Sequence, residues 1–105
     1  MKLGIMVCEK VSYECAATAC FNAFNKREKA FEKYVNKNIE LGALFHCNGC
    51  KSSLKKDLDY KIKQIKNNNI KTIHLAKCIK VECNRYDEIL NFIKENDIYV
   101  EEGSH

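Results

Sequence analysis

The chain has 105 residues, 46% apolar and 30% charged, and is expected to form one globular domain over residues 1–105 rather than a disordered or fibrous chain. Its first apolar run, Leu3 to Val7, is too short for a signal-peptide core or a membrane span, which points to a cytoplasmic protein with no membrane partner. The net charge of +4 rests on lysines dispersed among acidic residues, with only Arg27 and Arg85 besides, so no nucleic-acid partner is expected.

Four short runs read as buried strands: Leu3 to Val7, Ile39 to Phe45, Ile70 to Ala76 and Ile98 to Val100. Three helical patterns lie between them. The first carries Phe21, Phe24, Phe31 and Val35 on one face, and the second carries Leu54, Leu58, Ile62 and Ile65. The third is expected to begin near Asn84 as N-cap, with Asp87 and Glu88 in its first turn and Tyr86, Ile89, Leu90 and Ile93 facing inward. Strands alternating with helices imply right-handed crossovers and an α/β fold. The expected form is a small parallel four-stranded sheet in the flavodoxin-like or Rossmann-like order 2-1-3-4, with helices on both faces.

Seven cysteines stand out against this frame. An odd count fits poorly with a closed disulfide set, and in a reducing compartment clustered thiols serve metal or redox chemistry. Cys8 follows the first strand, His46 and Cys47 the second, Cys78 the third, and His105 comes shortly after the fourth. In a parallel sheet those carboxyl ends share one edge, where ligands of open α/β sheets bind. Cys15 and Cys20 lie between the first strand and first helix, Cys50 opens the second helix, and Cys83 precedes the third. None falls on the apolar helical stripes, where a merely space-filling cysteine would be expected.

The pair Cys47 and Cys50 has the spacing for two sulfurs on one ion or for a redox dithiol, and a helix N-terminus beside it would favour thiolates in either role. Five further cysteines are surplus to dithiol exchange, which ranks metal first. His74 alternates with apolar neighbours inside the third strand and reads as a structural histidine bonded to backbone. His46 and Cys47 are adjacent in an extended segment, so their side chains diverge and joint ligation is awkward.

Taken together, the motifs "KLGIMVCEK", "CAATACFNAFN", "AFEKY", "HCNGCKSS", "IHLAKCI" and "EEGSH" resemble the CGGC domain family of small cysteine-rich proteins over nearly the whole chain. Asn48 stands where the name-giving tetrad has glycine, and Lys51 where proline often follows. The terminal match reads Gly103, Ser104 and His105 as part of the domain. The resemblance implies metal binding, commonly zinc, and supplies no reaction. Position at the shared strand-end edge and the CxxC spacing make Cys8, Cys47, Cys50 and Cys78 the primary ligands and Cys15, Cys20, Cys83 and His105 further or alternative ones, and thiolate softness with the resemblance puts zinc first. An iron-sulfur cluster on the same thiolates is the first alternative. A thiol-disulfide oxidoreductase using Cys47 and Cys50, a catalyst with an open metal position, and a metal carrier or redox sensor are the others. There is no Gly-rich phosphate loop and no conventional nucleophile elbow, so a nucleotide-dependent reaction has little support.

Overall fold

The computed structural model describes residues 1–51 and 53–105; Ser52, within the central cysteine motif, lies outside them. Four strands, β1 (Lys2–Val7), β2 (Glu40–His46), β3 (Ile70–Leu75) and β4 (Tyr99–Glu102), form one parallel sheet in the order β2-β1-β3-β4. The fold class, the parallel pairing and the strand order all agree with the sequence reading. β1 is central because Leu3, Ile5 and Met6 are fully buried and satisfy both faces of the sheet.

Each face carries its own apolar layer. On one side α2 (Thr18–Lys26) and a following 3₁₀ helix (Lys29–Tyr34) bring Cys20, Ala23, Phe24, Phe31 and Tyr34 against Leu3 and Ile5. On the other, α3 (Leu54–Asn67) and α5 (Tyr86–Glu95) bring Leu58, Ile62, Ile65, Ile89 and Ile93 against Met6 and Ile73. The α3 stripe is the one read from the sequence, and Ser53 caps it by accepting a hydrogen bond from the Lys56 amide at 3.4 Å.

Three local expectations are corrected. The first helical pattern is two elements, because Arg27 turns left-handed with φ of 55° and ends α2 in a Schellman arrangement. There Glu28 N–H reaches Ala23 O at 2.9 Å and Arg27 N–H reaches Phe24 O at 3.2 Å. The Arg27 guanidinium lies 4.7 Å from the Phe24 ring centroid and bonds to Phe24 O, which offsets the strain of a non-glycine residue there. Phe24 and Phe31 are buried as expected, but Phe21 and Val35, at 37% and 48% exposure, are not.

Two short helices, α1 (Glu9–Ser12) and α4 (Lys77–Glu82), also went unread. They are too short for a periodic stripe, since α1 buries no side chain and α4 buries only Ile79. Cys78 therefore stands in the first turn of a helix rather than in a loop, as does Cys20 in α2. Finally, Arg85 rather than Asn84 is the N-cap of α5.

Beyond β4 the chain turns back into the molecule. Gly103, at φ of 92°, donates its N–H to Leu75 O at 2.7 Å, and Ser104 is fully buried. His74 secures this return and has the structural role expected of it. Its Nδ1–H donates to Gly103 O at 3.0 Å, which leaves Nε2 to accept from the Tyr34 hydroxyl at 3.0 Å, and its ring lies 4.5 Å from that of Phe31.

Burial lowers the His74 pKa below its ordinary value near 6.5. The Gly103 carbonyl and Glu101 oppose that shift, and Lys33 adds to it. The unfolded chain then takes up a proton that the folded state resists, so stability rises with pH across this interval. The contribution is present above the ordinary value and is lost as pH falls through the lower folded value. Urea midpoints are therefore expected to drop on acidification from about pH 7 to pH 5, and His74→Gln should flatten that slope. Equal slopes in both proteins would remove His74 as the cause.

Candidate metal centre

Val7 pairs with His46 and Met6 with Leu75, so β1, β2 and β3 end within a residue of one another and the connections that leave them share one edge. Cys8 is the N-cap of α1, Cys47 follows β2, Cys78 is the second residue of α4, and Cys83 is its C-cap. Cys50 stands in the turn after Cys47, four residues ahead of α3, so it does not open that helix as expected. All seven cysteines are free thiols.

Cys8, Cys47, Cys50 and Cys83 line a cavity of about 10 Å³ between β1, α4 and α5, on the scale of a single water molecule. Cys8, Cys47 and Cys83 are largely withdrawn from solvent, while Cys50 is exposed at the mouth. Cys15, Cys20, Cys78 and His105 line a second, larger cavity. Cys78 is the link between the groups, because its sulfur accepts the Cys8 N–H at 3.3 Å.

Two more sulfurs accept backbone donors. Ala17 N–H reaches Cys15 Sγ at 3.3 Å, and Arg85 N–H reaches Cys83 Sγ at 3.4 Å. Such bonds stabilise a thiolate, but burial raises the pKa of Cys20, Cys78 and Cys83 above the ordinary thiol value and outweighs them. For Cys83 the neighbouring Cys8, Cys47 and Cys50 push the same way. A cation among these sulfurs would reverse the balance, since a coordinated thiol is deprotonated outright.

The loop that carries Cys50 is tied from two sides. Arg85 donates from Nη1 to Cys50 O at 2.8 Å and Gly49 O at 3.4 Å, while its other nitrogens pair with Glu88 at 3.1 Å. Lys61 donates to His46 O at 2.6 Å and to Asn48 Oδ1 at 3.2 Å. The sequence reading missed both roles. One signal was available, for Arg85 is one of only two arginines and lies two residues from a cysteine.

As they stand, no three Cys, His, Asp or Glu side chains among the described residues are close enough to hold one ion. The donor chemistry fits a soft cation nonetheless, with four thiols in the lining of a small cavity that Glu9, Lys10 and apolar residues complete. Coordination would require the sulfurs to stand closer together than they do, and the turn between Cys47 and Cys50 has Gly49 at φ of 119°.

Comparison with known proteins agrees with the motif reading. A family model described as the CGGC domain matches residues 2–105. The chain belongs to the CGGC domain family. An uncharacterised protein of Methanocaldococcus jannaschii is 33% identical over 116 aligned positions, covering 100% of this chain and 87% of that protein. No solved structure matches the chain.

In this CGGC domain the naming tetrad reads Cys47-Asn48-Gly49-Cys50. The glycine that is kept is the one at positive φ, and Asn48 is not among the left-handed residues. The backbone therefore does not need glycine at position 48, and the Asn48 side chain gains contacts with Lys61 and with Asp57 O at 3.5 Å. No helix among the described residues is long and apolar enough to cross a membrane.

Proposed function

We propose that this CGGC domain binds a metal ion, zinc in the first place, through Cys8, Cys47, Cys50 and Cys83, with Cys78 as the adjacent alternative ligand. The observation that carries the reading is the ion-sized cavity lined by four thiols from three separate strand-end connections. The set differs from the one ranked first by sequence in exchanging Cys78 for Cys83, because Cys83 shares a cavity with the CxxC pair and Cys78 does not. Cys15, Cys20 and His105 lie around the other cavity and are not assigned to this ion.

A soft tetrathiolate set suits zinc, which needs no redox change and accepts a closed tetrahedral shell. When bound, the ion would supply a fixed positive charge that keeps the thiolates ionised. This chain's own residues would do the rest. Arg85 and Lys61 would hold the Cys47 to Cys50 turn through its carbonyls, and the Arg85 N–H would support the Cys83 sulfur. Such supporting bonds orient ligands and commonly change metal affinity by about 10–100-fold.

Chelation should loosen the fold without abolishing it, because the apolar layers of α3 and α5 close over the sheet independently of the ion. Thermal melts of reduced, zinc-loaded protein are expected to shift to lower temperature with a strong chelator. Superimposable melts, with a reversible Cys47-Cys50 disulfide of defined potential, would instead assign the pair to thiol-disulfide exchange.

A further inference from the structure

The cavity on the other side of Cys78 has a volume of about 230 Å³. An apolar cavity of about 150 Å³ is large enough to hold benzene, so this one has room for a single ring with small substituents. Its walls include Val7, Val11, Ala16, Leu44 and Phe45, and among the described residues no Lys, Arg, Asp or Glu side chain lines it. A charged ligand would lose its hydration there without gaining a counter-charge. The polar groups that remain are Ser12, His46, His105 and the thiols of Cys15, Cys20 and Cys78.

His46 is the lining residue that offers a specific polar contact. Its Nδ1 lies 2.6 Å from Cys47 O, and a carbonyl oxygen can only accept, so Nδ1 carries the proton. In the neutral ring Nε2 is then a lone-pair acceptor, and it accepts no hydrogen bond among the described residues. Cys20 differs, since its sulfur is already engaged with Ser104 Oγ at 3.1 Å. Thiols offer polarizable, uncharged surface that suits the edge of an aromatic ring.

We infer that this cavity binds a small monocyclic molecule bearing one hydroxyl or N–H donor, its ring against the apolar walls and its donor on His46 Nε2. Cys8, Cys47, Cys50 and Cys83 do not line it, so the cavity lies apart from that four-thiol set and shares with the proposed metal centre only its alternative ligand, Cys78. It is therefore testable on metal-free, reduced protein.

The probes are p-cresol and p-xylene, nearly equal in shape and differing in the donor. By calorimetry p-cresol is expected to bind with a Kd of about a millimolar or tighter. At saturation it should slow iodoacetamide labelling of Cys15 and Cys78, read by mass spectrometry, by about fivefold or more, and leave Cys50 unchanged as internal control. His46→Leu should weaken p-cresol about five- to tenfold and leave p-xylene unaffected, while His46→Gln, which supplies an acceptor oxygen, should restore p-cresol. Absence of binding by both probes at about 10 mM cresol and saturated xylene, with labelling unchanged, would overturn the site. Parallel loss of both ligands in His46→Leu, or loss of neither, would overturn the role of His46.

Discussion

Cys47→Ser, Cys50→Ser and Cys83→Ser are each expected to lower zinc affinity by about a hundredfold or more, whereas Cys20→Ser should change it less than about threefold. The first three remove a sulfur from the ion-sized cavity. A serine hydroxyl is a harder and less acidic donor that does not replace a thiolate on a soft ion. Cys20 instead stands on the buried side of α2, where its sulfur faces Ser104 and the neutral thiol is favoured. Competition with a zinc-sensitive chelator dye would rank the variants. Equal losses at Cys20 and Cys47 would mean a broader cluster that uses both cavities, and loss at Cys78 but not Cys83 would return the ligand set to the one first read from the sequence.

The second large effect is structural. Phe31→Ala should destabilise the domain by about 3–5 kcal/mol, a large share of the about 5–15 kcal/mol by which such domains are stable. Phe31 has 0% exposure and packs edge-on to Phe24 at 5.4 Å between centroids, with the His74 ring on another side at 4.5 Å. Its removal leaves a cavity lined by groups that the 3₁₀ backbone and the His74 hydrogen bonds hold in place, so collapse is limited. Urea denaturation at pH 7 would measure the loss. A change below about 1 kcal/mol would show that the face under α2 can repack freely.

Much of the fold was readable because long-range order here follows from simple patterns. The α3 stripe from Leu54 to Ile65 and the apolar run from Leu3 to Val7 each specify both an element and its buried side. Alternation of strands and helices then restricted the topology, and the order β2-β1-β3-β4 was among the few that remained. Less readable were features decided by single backbone residues. Arg27 adopts a left-handed turn usually given to glycine, supported by contacts of its side chain that no periodicity reveals.

The same distinction applies to the candidate site. Convergence of cysteines on the carboxyl edge followed from strand polarity alone. Their division into two cavities did not, because it depends on α4. That short helix has one buried residue, and it places Cys78 beside Cys8 N–H while Cys83, five residues on, shares the cavity with Cys47 and Cys50. Arg85 and Lys61 were hidden for another reason. They act through backbone carbonyls, and a carbonyl acceptor leaves no mark in a residue pattern.

The central claim is that four thiols at this edge hold one ion. Elemental analysis with an absorption spectrum, on protein purified and reconstituted without oxygen, tests it most directly. The account predicts close to one zinc per chain with a colourless protein, and zinc retention that falls when Cys83 is replaced. Protein that contains neither zinc nor iron and takes up neither when supplied would contradict it, while a coloured protein with iron and sulfide would assign the thiolates to a cluster instead of zinc.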